Sequence, residues 1–247
     1  MALFEAEHIH KRFGAQVVLE DISLSFGEGE VSGIMGPNGA GKTTCFHVLT
    51  GHYKPDRGDI RFAGEPITGL SPQSLARKGI SRSFQIMNLF DQSAVIENVM
   101  VALPEFRARR RQMTRSVFDD AALVEAAREV LDQVGLAARA WEPAASLPYG
   151  DRRALEIGVA IAARPRILFL DEPTSGLGAE ATRNLAELIR KLRTRYTIVM
   201  IEHDMSFLFD LADRISVVHW GQVIAEGTPA ALRANKWVQR SGLGELA

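Results

Sequence analysis

Residues 36 to 43 read Gly36-Pro37-Asn38-Gly39-Ala40-Gly41-Lys42-Thr43, the Gly-x-x-x-x-Gly-Lys-Thr spacing of a phosphate loop. A triphosphate carries several negative charges that must be held without being buried unpaired. A glycine-rich turn lets successive backbone N–H groups point at one anion, and a following helix adds its positive N-terminal end. Lys42 then acts as a point charge on the β- and γ-phosphates, while the Thr43 hydroxyl suits Mg²⁺. The stretch Gly36 to Thr44 is therefore expected to cradle the phosphates of a nucleoside triphosphate.

A second candidate lies far along the chain. Ile167-Leu168-Phe169-Leu170 is apolar enough for a fully buried strand, and Asp171-Glu172 stand at its carboxyl end, where open α/β sheets place ligands. Adjacent strand residues point opposite ways, so the two acids are expected to do different work. Asp171 suits a Mg²⁺ shell, and Glu172 suits polarising the water that attacks the γ-phosphate.

Elements that would position these groups are legible around them. Val31 to Met35 predicts a buried strand running into the loop, and Thr44 to Leu49 a helix leaving it. Residues 3 to 10 and 16 to 26 read as strands with a turn at Phe13-Gly14, and Asp59 to Gly64 as another. Ser71-Pro72 and Thr228-Pro229 each pair a cap residue with a first-turn proline. Residues 80 to 85 predict a strand ending at Gln85. Val99 to Phe106, Phe118 to Val134 and Arg152 to Ala163 have helical periodicity and little strand signal. Strand Arg166 to Asp171, helix Ala179 to Arg195, strand Thr197 to Glu202, helix Met205 to Ala212 and strand Arg214 to Trp220 follow. Such alternation predicts an α/β fold, a P-loop NTPase core with a largely parallel sheet. An antiparallel β part precedes the core and a helical subdomain is inserted in it. The expected division is 1–94 and 166–235 for the core, 95–165 for the helical subdomain and 236–247 for a tail, all within one domain.

The bulk properties narrow the function classes. With 247 residues, 46% hydrophobic and 24% charged, the chain can bury a sizeable core. A net charge of −1 gives no global sign of nucleic-acid binding. The single cysteine, Cys45, excludes internal disulfides. Met1 to Arg12 has no apolar core, so no signal peptide is expected, and no apolar run approaches a membrane span. Arg107, Arg109, Arg110, Arg111 and Arg115 form a basic run that fits either a solvated helix face or contact with anionic lipid heads.

Taken in order, the phosphate loop, Gln85, Leu147-Pro148-Tyr149-Gly150-Asp151, Ile167 to Glu172, Ser175-Gly176-Leu177 and His203 resemble the ATP-binding subunits of ABC transporters. The resemblance runs over nearly the whole chain. Within that family, Gly79 to Gln85, LPYGDRRALEIGV (147–159) and Ile224 to Pro229 look most like the ATPase subunits of branched-chain amino-acid importers. Importers of urea, amides and other solutes share these words, and a separate ATPase subunit can also serve an exporter.

The resemblance implies roles that the residues alone do not. Gln85 would reach Mg²⁺ or the attacking water, His203 would hold the γ-phosphate, and Phe13 would stack on adenine. Leu147, Pro148, Tyr149, Gly150 and Asp151 would form the signature segment that caps the ATP of a second ATP-binding subunit, in a homo- or heterodimer. ATP would be hydrolysed with Mg²⁺ on the cytoplasmic face of the membrane. The chain would be held there by transmembrane permease subunits and served indirectly by a solute-binding protein, with no nucleic acid. Soluble family members working on DNA or ribosomes usually carry paired cassettes, coiled coils or zinc-binding cysteines, none of which is seen here.

Four positions depart from the family pattern. Pro148 replaces the signature serine, Tyr149 its first glycine and Asp151 its glutamine, and Gly178 replaces the aspartate beyond the catalytic acid. Asp151 would bring negative charge near the phosphates unless it faces away.

Overall fold

The computed structural model describes residues 2–83, 89–109 and 120–235, with residues 107–109 described by backbone alone. Two long strands, β1 (Ala2–Phe13) and β2 (Gln16–Gly27), form the opening hairpin, turning at Gly14 and Ala15. Ala6 faces Leu24 and Ile9 faces Ile22, so one face of the hairpin is apolar. The apolar strand β3 (Val31–Met35) then runs through the phosphate loop into α1 (Lys42–Leu49). Next come β4 (Arg57–Phe62) and the two-residue β5 (Glu65–Pro66), closing an antiparallel sheet of order β2-β1-β4-β5.

The Ser71 hydroxyl accepts from the Ser74 N–H and starts α2 (Pro72–Arg77), which leads to β6 (Ile80–Arg82). The Ser83 N–H still donates to the Phe169 carbonyl, but residues 84–88, Gln85 among them, lie outside the described residues. The helical stretch holds α3 (Val95–Met100), α4 (Pro104–Arg109), α5 (Ala121–Gln133) and α6 (Tyr149–Ala162). After it come β7 (Ile167–Asp171), α7 (Ala179–Leu192), β8 (Thr197–Ile201), α8 (Met205–Leu211), β9 (Arg214–His219), β10 (Gln222–Gly227) and α9 (Pro229–Arg233). The second sheet has the order β10-β9-β3-β8-β7-β6, parallel from β9 through β6, with β10 antiparallel at its edge.

Alternation along the central strands builds two cores, one on each face of this sheet. Leu168, Leu170, Ile198 and Met200 join α3, α5, α6 and α7 on one face. Ile167, Phe169, Val199 and Ile201 join α1 and the antiparallel sheet on the other. Phe169 is the hub of the second core, with ring centroids 5.3 Å from Phe4, 5.9 Å from Phe46 and 6.2 Å from Phe26. Edge-on aromatic pairs of this kind contribute about 0.5–1.5 kcal/mol each beyond area burial. They lock the strand that carries Asp171 against the helix that carries Lys42. Because both faces of β3, β7 and β8 are covered, all three are buried throughout and mostly apolar, with Ser32, Asp171 and Thr197 their buried polar members.

Three local expectations need correction. Val99 to Phe106 is not one helix: α3 stops at Met100 and α4 starts at Pro104, a residue that suits a first turn and cannot sit in a helix interior. Helix α6 begins at Tyr149 rather than Arg152, with Pro148 as its N-cap residue. The sequence pattern predicts no strand at the β10 edge, because Gln222 to Gly227 is short, mixed in polarity and alternates only between exposed and partly buried positions. Phe118, Arg110, Arg111, Arg115 and the tail 236–247 lie outside the described residues.

Candidate nucleotide-binding site

The phosphate loop is shaped by backbone crowding that only glycine tolerates. A Cβ on Gly36 would lie 2.0 Å from the Val218 carbonyl oxygen of β9, and one on Gly41 (φ 99°) 2.9 Å from that of Val18 in β2. The turn between β9 and β10 braces the loop from outside, with the Gly221 N–H donating to the Ala40 carbonyl at 3.0 Å. Helix α1 has no acidic residue in its first turn, so nothing cancels the positive end it offers an anion. Lys42 is buried and folds back over the loop, its Nζ donating to the Gly36 and Pro37 carbonyls at 2.7 and 3.0 Å. Burial lowers its pKa, and the nearby Glu172 carboxylate opposes that shift.

Asp171 ends β7 and is almost fully buried. Burial, with help from Glu172 and Glu202, pushes its pKa up to about 6 against the pull of Arg82 and Arg153. Strand alternation does not apply to the two acids, because only Asp171 belongs to the strand. Glu172 has left the strand and adopts a left-handed backbone, φ 43°, while its N–H donates to the Ile201 carbonyl at 2.9 Å. A non-glycine residue there costs of the order of 1 kcal/mol and persists only where its surroundings hold it. Its carboxylate Oε2 lies 4.0 Å from the His203 Nδ1. Lys42, Asp171, Glu172 and His203 thus converge at the carboxyl edge of the parallel sheet. Phe13 ends β1, exposed on one side and backed by the Tyr53 ring at 5.3 Å and the Lys11 ammonium at 5.5 Å.

The signature segment sits elsewhere, at the start of α6. Leu147 is buried, while Tyr149, Gly150 and Asp151 form the helix's first turn. The Tyr149 hydroxyl donates to the Ser175 carbonyl at 3.3 Å, and its ring lies against Gly176. Gly150 packs on Ala181 of α7. Between them, the starts of α6 and α7 and the end of α5 enclose a cleft of about 750 Å³.

The model of the family described as ABC transporter matches residues 19–175. The chain belongs to the ABC transporter family. It is 41% identical over 243 residues to the high-affinity branched-chain amino acid transport ATP-binding protein LivG of Salmonella typhimurium, covering 95% of this chain and 94% of that one. It is 39% identical to the corresponding protein BraF of Pseudomonas aeruginosa, with 98% of each chain covered. Among solved structures, the ADP conformation of an ATP-binding cassette of an ABC transporter superposes with a TM-score of 0.87 at 28% identity, covering 99% of this chain and 100% of that one. The chain is accordingly an ATP-binding subunit of an ABC transporter, built on the family's cassette fold.

Within that family the departures acquire physical explanations. Asp151, in place of glutamine, is held by Arg139 at 2.8 Å, and Arg139 also pairs with Glu142. Its charge is therefore compensated locally rather than presented bare to a phosphate. Gly178 is the N-cap residue of α7 without a side-chain acceptor. Two further groups near the site carry no motif of their own in the sequence. Arg153, on α6, forms a buried ion pair with Glu156 at 2.6 Å and adds positive potential at Asp171. Glu202, read only as the end of a strand, is wholly buried beneath His203. The signal was present: a carboxylate at the carboxyl end of an all-apolar strand has to find donors.

Proposed function

We propose that this chain is the ATP-hydrolysing motor of a membrane importer of branched-chain or related amino acids, the solute class in the names of LivG and BraF. The observation that carries the hydrolytic reading is the meeting of Lys42, Asp171, Glu172 and His203 around one phosphate loop. Gly36 to Thr44 bind the phosphates and Phe13 stacks on the adenine. Glu172 draws a proton from the attacking water, and His203 steadies the γ-phosphate. An all-oxygen donor set, the Thr43 hydroxyl and the Asp171 carboxylate, fits Mg²⁺, which prefers one or two protein oxygens plus phosphate and water. When bound, Mg²⁺ neutralises charge on the β- and γ-phosphates. Gln85 takes its part by family resemblance.

Each ATP would be completed by Leu147 to Asp151 of a second ATP-binding subunit, identical or paralogous. ATP then favours the closed pair because it touches both chains only there, and hydrolysis releases them. The movement passes to permease subunits through a groove of about 830 Å³ between α2, β6 and α6, with Leu75, Ile80 and Val159 apolar and Arg77 and Glu156 charged. Among the described residues no helix is long and apolar enough to cross a membrane. Attachment at the cytoplasmic face through those permeases, with a solute-binding protein on the far side, completes the reading.

The test is Glu172→Gln. It should bind ATP, release phosphate at least about a hundredfold more slowly, and run as a dimer on gel filtration when ATP is present. Wild-type turnover would remove Glu172 from the chemistry. A mild-detergent pull-down should bring two multi-span membrane proteins, and recovery of nucleic acid or ribosomal proteins instead would sink the transporter assignment.

A further inference from the structure

Glu202 is 0% exposed, yet among the described residues no Lys or Arg forms a salt bridge with it. Its carboxylate is spent on donors from two separate loops, the backbone N–H groups and the Thr174 side chain. One oxygen accepts from the Thr174 N–H at 2.8 Å, and the other accepts from the His203 and Asp204 N–H groups at 3.2 and 3.5 Å. Its own N–H donates to the Ile34 carbonyl of β3, anchoring the residue to the strand that feeds the phosphate loop. Thr174 lies two residues beyond Glu172, and His203 is the residue after Glu202. The carboxylate therefore bridges the segment bearing the water-polarising acid to the segment bearing the γ-phosphate ligand.

The strained backbone at Glu172 explains why such a bridge is needed. On one side Glu172 is held by its N–H bond to Ile201, and on the other the Ser175 N–H returns to its carbonyl at 3.0 Å. Those two bonds close the turn and fix its first residue to the end of β8. The Glu202 carboxylate ties the far side of the turn, at Thr174, to the His203 and Asp204 N–H groups. We propose that Glu202 is a positioning residue for ATP hydrolysis, holding the Glu172 turn and the His203 segment in one fixed relation. This rests on Glu172 being the group that polarises water.

A glutamine cannot reproduce the bridge. Its single carbonyl oxygen can accept on one side, while its NH₂ meets N–H donors on the other and repels them. The experiment uses the full chain and compares wild type, Glu202→Gln, Glu202→Asp and Glu172→Gln, together with the double variant Glu172→Gln/Glu202→Gln. Steady-state phosphate release gives kcat and KM, calorimetry gives ATP affinity, and thermal melting checks the fold.

The expected result is a fall in kcat of roughly a hundredfold in Glu202→Gln, the size of effect a misplacement near 1 Å produces, with ATP affinity within about threefold of wild type. In the Glu172→Gln background the second substitution should change the residual rate by about twofold or less, since nothing is left to position. Glu202→Asp keeps the charge but is one methylene too short to span both loops, so it should show the same kcat loss even if the glutamine variant does not fold. Wild-type kcat in a folded Glu202 variant would overturn the proposal. So would equal losses of kcat and affinity, or a full multiplicative loss on top of Glu172→Gln, either of which marks a merely structural role. If Glu172→Gln itself turns over normally, the hydrolytic reading fails first and separately.

Discussion

The phosphate loop and the signature segment of this chain are built on opposite principles. Around the phosphate loop everything is fixed from within: Gly36 lies under a β9 carbonyl, Lys42 is buried, and Asp171 and Glu202 are 2% and 0% exposed. At the signature segment the working residues face outward. Tyr149 is 46% exposed, and Asp151 is held only by a half-exposed ion pair. On the proposed reading the first region is finished within one subunit, whereas the second would complete a site on another. This contrast fits the pattern of departures, since three of the four family substitutions fall in the signature segment and none within residues 36 to 43. A preformed cradle tolerates almost no change, while an interface can vary together with whatever it meets.

Paired glycine substitutions should break that symmetry most sharply. Gly36→Ala puts a Cβ 2.0 Å from a strand carbonyl that is fixed by the sheet, so the loop must distort. ATP affinity of the isolated subunit should fall by about a hundredfold or more, which corresponds to about 2.7 kcal/mol. Gly150→Ala meets only the Ala181 methyl at 3.0 Å, and affinity in the isolated subunit should stay within about threefold. Calorimetric titration of both variants decides it. Normal binding by Gly36→Ala would remove the claim that the cradle is rigid.

The next largest effect concerns stability at the junction of the two regions. Arg153 stands one turn into the signature helix and pairs with Glu156 out of solvent. Arg153→Ala removes the guanidinium 2.6 Å from that buried carboxylate, a change that typically costs about 3 kcal/mol or more. Chemical denaturation should show the loss. A cost below about 1 kcal/mol would mean that the pair behaves like the exposed ones on the surface.

Asp171 offers a change of the opposite sign. Its pKa of about 6 in the folded chain stands above the ordinary value near 3.8. Well below pH 3.8 the group is protonated in both folded and unfolded chains and has no effect. As pH rises from about 4 to 6 the unfolded chain ionises first, so the folded state loses stability, and the full penalty is present above pH 6. Asp171→Asn should therefore stabilise the nucleotide-free protein at pH 7 by on the order of 1–3 kcal/mol, while abolishing the added stability that Mg²⁺ with ATP gives wild type. Melting curves at pH 4.5 and 7 with each protein test the sign. A variant less stable than wild type at pH 7 contradicts the burial argument.

How much of this was visible in the residues follows the same division. The strands β3, β7 and β8 announce themselves because both their faces are buried, and the phosphate loop is legible because its function demands glycine at fixed spacing. The start of α6 was misplaced by three residues because Pro148-Tyr149-Gly150 looks like a helix breaker in one dimension. In three dimensions Pro148 is an acceptable N-cap residue and Tyr149 finds Ser175. The left-handed Glu172 was invisible for a related reason: nothing in its side chain favours that backbone, and the neighbouring strand and loops impose it. Glu202 likewise looks like the end of a strand until the two loops that it joins are seen together.

The smallest effect tests whether Tyr149 links the two regions. Its hydroxyl reaches the Ser175 carbonyl, three residues beyond Glu172, so in principle it could hold the catalytic turn from the signature side. The bond is long and the side chain is half exposed, so water replaces it readily and its net worth is about 0.5 kcal/mol. The same turn is already tied by the buried Glu202 contact at 2.8 Å and by the Glu172 N–H to Ile201. Tyr149→Phe keeps the ring against Gly176 and removes only the hydroxyl. It should leave the melting temperature and ATP affinity unchanged and lower phosphate release by no more than about threefold. A loss approaching that of Glu172→Gln would mean that the signature helix governs the catalytic turn within a single subunit. The rigid and the outward-facing regions would then be one mechanical unit rather than two.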